Sequence, residues 1–297
     1  MSKRALYLHG GLPKTGTTSL QQWFCKNGQI LAQAGLTYPQ PSDNYKQGYL
    51  VPDLRVNGGT PHIRTVLENH PEGDLLFSNE GLSNHFHDFH PDALAEFREL
   101  TAEFHVVLLL LHRDGNRWLR SYYRQAVLNP ASNASELWGT TQHMEEIRVH
   151  YRIKRLLDRP RLQSDMQAGL GAARVVSLDF DQPDFFECFL VHLGIENTNL
   201  FKLGRINESI PVWAISFMRH INSIVPENKT RNAWKAALFK YLDSNHLILR
   251  NCYQSFVNSH EQFTDYLQID LINSAPETCP KKDLKAFLLA VSTEANE

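Results

Sequence analysis

The chain has 297 residues, with 30 Lys and Arg against 32 Asp and Glu and a formal net charge of −2. Hydrophobic residues make up 42% and charged residues 21%, a globular balance that excludes a disordered chain, a collagen-like repeat and a disulfide-dense mini-scaffold. A near-neutral total directs the molecule as a whole neither to nucleic acid nor to an anionic membrane, so an anion site must be a local concentration of positive groups.

Taken in chain order, the first apolar run is Ala5–Leu8, too short for a secretory signal of about 7–15 apolar residues or a spanning helix of about 20. No such run occurs elsewhere, so the sequence reads as a cytoplasmic protein without a transmembrane segment. Ala5–Leu8 reads as a buried strand, followed by a helix whose apolar face carries Leu20, Trp23, Phe24, Leu31 and Ala34. A second strand, Leu75–Phe77, ends in Ser78-Asn79-Glu80. A third, Val106–Leu111, ends in His112-Arg113-Asp114 and precedes a helix marked by Trp118, Leu119, Tyr122, Tyr123, Ala126 and Val127. Arg174–Leu178 is a fourth. None alternates cleanly, which is the pattern of strands covered on both faces. Strand–helix–strand alternation then predicts an α/β fold with a doubly wound parallel sheet and right-handed crossovers.

The polar stretch 129–161 reads as a loop followed by one or two helices over the sheet. Beyond Arg205 no strand pattern recurs, and Ile210–Ile224, Trp234–Leu249 and the segment from Asp283 read as helices. The expected organisation is one domain over 1–297, an α/β core through 205 and a mainly helical part over 206–297. Cys25, Cys188, Cys252 and Cys279 have no pair spacing and read as free thiols of a reducing compartment.

The loop Leu8-His9-Gly10-Gly11-Leu12-Pro13-Lys14-Thr15-Gly16-Thr17-Thr18-Ser19-Leu20 follows a strand and opens a helix. Backbone N–H groups and a helix N-terminus then surround one small volume, which favours a bound phosphate. Hydroxyls at Thr15, Thr17, Thr18 and Ser19 add donors. Against the ATPase loop GxxxxGK[ST], Gly11, Gly16 and Thr18 are in place, but Thr17 stands where the lysine belongs and the positive charge has moved back to Lys14. The arrangement suits an anion shorter than a triphosphate.

The third strand delivers Arg113 to the C-terminal sheet edge, where open α/β folds bind ligands. Ser121, eight residues on, falls about one turn into the next helix, so that Arg113 can grip a phosphate bidentately and Ser121 can add a hydroxyl. His112-Arg113-Asp114 is not a kinase catalytic loop, since Leu119 occupies the required Asn position. Asp114 reads as a helix cap.

Pro13-Lys14-Thr15-Gly16-Thr17-Thr18-Ser19-Leu20 resembles the 5′-phosphosulfate loop of sulfotransferases that use 3′-phosphoadenosine 5′-phosphosulfate (PAPS), and the run from His9 to Gln21 is most similar to bacterial carbohydrate-type members. Arg113 and Ser121 match that family's 3′-phosphate motif. The resemblance implies a P-loop NTPase-like parallel sheet and transfer of a sulfuryl group from PAPS to a hydroxyl of a saccharide or small-molecule acceptor. It implies no nucleic-acid partner and no metal. Lys14 would stabilise the leaving 5′-phosphate, with Thr15, Gly16, Thr17, Thr18 and Ser19 around the phosphosulfate. Glu80 would be the base, because Ser78-Asn79-Glu80 resembles the Ser-Ser-Glu strand end of the family with Asn79 in the middle place. His9 is the competing base. Lys202–Ser209 resembles the family's basic-Asn-x-Ser segment, with Arg205 as a phosphate contact. His85, His87 and His90 form a loose HxHxxH cluster in a loop, read as histidines near an acceptor pocket rather than as a zinc site, which would need a fourth ligand. The rival readings are a P-loop kinase or NTPase, and a nucleotide-binding protein without catalysis.

Overall fold

The computed structural model of the chain describes residues 3–39, 45–132, 135–196, 198, 203, 210, 212–224, 227–229, 231–232, 235–236 and 239. In chain order the elements begin with β1 (Arg4–His9), α1 (Thr17–Lys26), α2 (Gly28–Gln33), β2 (Leu36–Thr37), α3 (Leu50–Arg55) and α4 (Pro61–Asn69). Next come β3 (Asp74–Ser78), α5 (Gly81–Asn84), a 3-10 turn over Phe86–Asp88, α6 (Pro91–Leu100), β4 (Phe104–His112) and α7 (Gly115–Leu128). Helices α8 (Met144–Val149), α9 (Tyr151–Leu157) and α10 (Arg159–Leu170) precede β5 (Arg174–Asp179), α11 (Phe185–His192) and α12 (Val212–Ile224). The chain divides into two compact units, residues 1–121 with 148–208 and residues 122–147 with 209–297.

The first unit holds a five-stranded sheet in the order β2-β3-β1-β4-β5, every pairing parallel. Parallel neighbours need crossover connections, which the helices supply. Side chains alternate along each strand, and the odd-numbered residues of β4, Val107, Leu109 and Leu111, enter one core with Leu20, Trp23 and Phe24 of α1 and Phe186, Phe189 and Leu190 of α11. Burial of each large apolar side chain stabilises by about 1.5–3 kcal/mol, enough together to fix which way every strand faces. Helices α6 and α10 pack on each other, and Leu110 of β4 and Met166 of α10 close on Gly10. The connections from the central strand and from its neighbours therefore depart to opposite faces, which opens a crevice at the C-terminal edge.

All four expected strands form, each one to three residues longer than its apolar run. The fifth, β2, has two residues, too few to leave a periodic signal. The stretch 129–161 holds two helices, α8 and α9, after its loop, as expected, and α10 starts at its end. Their starts are capped locally: His150 accepts from Arg152 N, and Asp158 accepts from Arg161 N. Gly171, at φ 66°, ends α10. In the second unit Asn222 of α12 donates to Val127 O (2.8 Å) and Thr140 O (3.2 Å). The expected helix at Ile210–Ile224 appears as α12. Trp234–Leu249 lies largely, and the segment from Asp283 wholly, outside the described residues. So do Cys252 and Cys279, while Cys25 and Cys188 are free thiols. Among the described residues no helix is long and apolar enough to cross a membrane.

Candidate functional site

The two-residue period that builds the α1–α11 core continues past the strand ends. His9 closes β1 with its ring edge-on to Phe189 at 5.2 Å. Ser78 closes β3, its carbonyl accepting from Gln21 Nε2 of α1 (2.9 Å). Arg113 follows Leu111, and Phe180 follows Leu178, with the Arg113 guanidinium 5.5 Å from the Phe180 ring. Four strand tips thus turn their side chains to the face on which α1 begins.

The β1–α1 loop runs along β4 through Gly10 N to Leu109 O (3.1 Å) and Leu12 N to Leu111 O (2.9 Å). It then turns through two left-handed residues, Lys14 at φ 69° and Gly16 at φ 76°, Lys14 being the one non-glycine with positive φ among the described residues. Left-handed positions in a loop turn successive N–H groups toward a common point, an anion-binding concavity. Gly16 is the N-cap of α1, no side chain caps the helix, and its first turn carries no acid. The positive end of the helix therefore stays open to a ligand. A Cβ on Gly16 would lie 2.4 Å from Phe180 Cε2, so this loop and the β5 tip tolerate only glycine there.

The hydroxyl of Thr15 departs from expectation: it is buried and donates to Leu12 O at 2.6 Å. Bracing its own loop, it leaves Thr15 only a backbone N–H to offer a ligand. Thr17 Oγ1 is buried without a described partner, and Thr18 and Ser19 are half-buried in the first turn of α1. Trp118 Nε1 of α7 donates to Pro13 O (2.8 Å) and holds the loop from the other side.

Three charged groups meet at this edge. Burial lowers the Lys14 amine below the usual lysine range, with the Glu80 carboxylate opposing that shift and the Arg113 guanidinium adding to it. Burial likewise raises the Glu80 carboxyl, against the pull of Lys46 and Lys14. Glu80 begins α5, where its carbonyl accepts from Asn84 N at 3.1 Å. Asn79 braces that turn, accepting from Gly81 N (2.8 Å) and donating to Gln47 O (2.9 Å). Ser83 Oγ donates to Gly11 O at 2.9 Å and ties α5 to the loop.

Arg113 is held by a residue that sequence reading passed over. Its Nη2 lies 2.9 Å from Asp181 Oδ1, whose other oxygen receives Asp114 N at 3.4 Å. Asp181 N in turn donates to Asp179 Oδ1 (2.9 Å). Arg159 Nη2 donates to Arg113 O, and Arg113 Nε is buried without a described partner. The available signal was the close of the β5 run on Asp179-Phe180-Asp181 at the same sheet edge as the two anion motifs. Asp114 caps α7 by accepting from Arg117 N (2.9 Å). Ser121 is the seventh residue of α7, nearly two turns in rather than one, and lies three residues beyond Trp118 on the same side of the helix. Arg205 lies outside the described residues.

His9 is fully buried, Nδ1 bonded to Ser78 Oγ at 2.8 Å, and desolvation lowers its pKa to about 3. So weak a base does not suit proton abstraction at neutral pH. The three later histidines have separate tasks. His85 pairs with Asp88 at 3.1 Å, His90 caps α6, and the ring of His87 lies 5.7 Å from that of Phe86. Among the described residues no group of three His, Cys, Asp or Glu side chains is placed to hold a metal ion.

Comparison of the chain with protein-family models, curated proteins and solved structures gives no match.

Proposed function

We propose that the protein is a PAPS-dependent sulfotransferase on a P-loop NTPase-like sheet, moving a sulfuryl group to a hydroxyl acceptor of saccharide or small-molecule type. The observation that carries this reading is the place of Lys14 on the loop after the central strand β1, within reach of both the Glu80 carboxylate beyond β3 and the Arg113 guanidinium beyond β4. Two separated cations suit a donor with phosphates at both ends of its ribose, and a partly desolvated carboxylate beside Lys14, on the β3 side, suits a base. The donor fits the residues present: the uncapped α1 terminus, the left-handed Lys14 and Gly16 backbone, the unpartnered Thr17 Oγ1 and the spare Nε of Arg113 all offer donors to an anion.

In the proposed reaction Glu80 accepts the proton of the acceptor O–H as that oxygen forms its bond to sulfur. The bond from sulfur to the 5′-phosphate oxygen breaks on the opposite side, and Lys14 neutralises the charge left on that oxygen. The loop amides steady the sulfuryl oxygens, a preorganised environment that needs no rearrangement during the reaction. Arg113, oriented by Asp181, holds the 3′-phosphate with Ser121 adding a hydroxyl, and Arg205 is proposed as a further phosphate contact.

Thermal shift with 3′,5′-ADP, 5′-ADP and Mg-ATP tests the reading. Stabilisation by 3′,5′-ADP without added metal and above 5′-ADP is expected, and Arg113→Ala should abolish that preference. Selective stabilisation by Mg-ATP would instead place the protein among kinases or NTPases. Glu80→Gln should keep 3′,5′-ADP affinity while turnover falls about 10²-fold or more. Binding without sulfuryl transfer to any acceptor would leave a nucleotide-binding protein.

A further inference from the structure

On the β2 side the sheet loses its backbone pairing just before the proposed base. Strand β2 pairs with β3 through Leu36 and Thr37, and Gly35 O accepts from Asp74 N (3.0 Å). In a parallel ladder every second residue bonds the neighbouring strand, so this phase makes position 39 the next to do so. Its N–H would go to Leu76 O, and its C=O would accept from Ser78 N. The residue there is Pro39, which has no N–H to give. The side chain of Gln47 does both tasks instead. Its Nε2 donates to Leu76 O (3.2 Å) and to Pro39 O (2.8 Å), and its Oε1 accepts from Ser78 N (2.6 Å). Gln47 is fully buried, so its primary amide stands in the ladder as the peptide group of a strand that the main chain has left.

The same residue reaches the turn on which Glu80 stands. Gln47 O accepts from Asn79 Nδ2 (2.9 Å), and Asn79 Oδ1 accepts from Gly81 N (2.8 Å). The residues on both sides of Glu80 are thus tied to Gln47, one directly and one through Asn79. From the other side, Gln21 Nε2 donates to Ser78 O (2.9 Å) and His9 Nδ1 bonds Ser78 Oγ (2.8 Å). Each polar atom of Ser78 is therefore engaged by a buried side chain, from the β2–α3 connection, from α1 and from β1. Val51 of α3 closes over the turn, since a Cβ on Gly81 would stand 2.3 Å from its Cγ2. Burial raises the Glu80 carboxyl, and Lys46, next to Gln47 in the chain, opposes that rise ahead of Lys14, as a cation held beside the base should.

We propose that Gln47 is a positioning residue for Glu80: its amide fills the ladder place that Pro39 cannot, and by fixing Ser78 and Asn79 it sets the direction in which the chain leaves β3 and presents the carboxylate. Calling Glu80 the base rests on the sulfuryl-transfer reading, whereas the ladder replacement does not. A base works only within hydrogen-bond reach of the O–H it deprotonates, and a misplacement of about 1 Å costs up to about 10²-fold in rate. Because a side chain makes these ladder bonds, one substitution removes them while the β1–β3 pairing persists.

Amide hydrogen exchange and turnover of PAPS with water as acceptor, both on the full chain, test the proposal. The Ser78 amide has Gln47 Oε1 as its partner, so Gln47→Met should speed its exchange about tenfold or more. The Asn79 amide, bonded to His9 O, should keep its protection. Turnover (kcat) should fall about tenfold or more, with KM for PAPS and affinity for 3′,5′-ADP within about twofold of wild type. In a Glu80→Gln background the same substitution should lower kcat by less than about twofold, because it acts through a group already removed. A merely structural loss would fall equally on both backgrounds. Should Gln47→Met not fold, Asn79→Ala, which cuts only the outer link, carries the same turnover comparison. Unchanged exchange at Ser78, unchanged kcat, or equal losses in both backgrounds would each overturn the proposal. If Glu80→Gln keeps full turnover, the base assignment fails; if wild type neither binds 3′,5′-ADP nor consumes PAPS, the sulfotransferase reading fails. In either case faster exchange at Ser78 upholds the ladder role of Gln47, and unchanged exchange overturns it.

Discussion

Replacing Gly16 with alanine tests whether the β1–α1 loop and the β5 tip form one packed unit. Two penalties add. At φ 76° and ψ 10° an L-residue occupies the left-handed region, at a cost of about 1–2 kcal/mol. The new Cβ would also stand 2.4, 3.2 and 3.3 Å from three atoms of the Phe180 ring, where carbon atoms prefer about 3.5–4.0 Å. The ring cannot simply withdraw, because it packs on Phe185 with centroids 4.8 Å apart and lies under Arg113. Such overpacking costs about 1–3 kcal/mol, so a total of about 2–5 kcal/mol is expected. Urea unfolding followed by tryptophan fluorescence reads it, in wild-type and Phe180→Ala backgrounds. Without the ring only the backbone part should remain, a coupling of about 1 kcal/mol or more between the two positions. An equal cost in both backgrounds, or a cost below about 0.5 kcal/mol in wild type, would refute the packing argument.

Two further outcomes follow from buried polar groups. His9 titrates near 3 in the fold but near 6.5 when unfolded, so between those values the unfolded chain binds the additional proton and stability falls as pH falls, by up to about 1.4 kcal/mol per unit. Urea midpoints from pH 6.5 to 5 should therefore drop more steeply in wild type than in His9→Gln, and parallel slopes would show that the imidazole is not the source. Asp53 is buried and accepts from His62 N and Ile63 N, each at 2.9 Å, thereby capping α4. Asp53→Ala should cost about 1–3 kcal/mol in chemical unfolding, and a loss within error of zero would mean water replaces the cap.

The four long strands and the loop between β1 and α1 could be read from the sequence because their causes are local. An apolar run reports burial on both faces, and a glycine-rich turn between strand and helix reports where N–H groups gather. Lys14, Glu80 and Arg113 were recognisable in the same way, each standing at or just beyond the close of an apolar run. What each group bonds to was not. The hydroxyl of Thr15 turns inward to Leu12 O. Asp181 meets Arg113 from 68 residues away. Arg152 reaches Asn84 across a similar gap.

Such pairs depend on strand register, on the side of the sheet to which each crossover departs, and on the angle at which one helix lies over another. All of these are set by the shared core of α1, α11 and the strands rather than by any short segment. The chain alone thus determined which residue types stand at the strand tips. Only the packed sheet decided that Lys14 comes within the electric field of both Glu80 and Arg113, because distances between tips exist only once parallel neighbours are laid side by side.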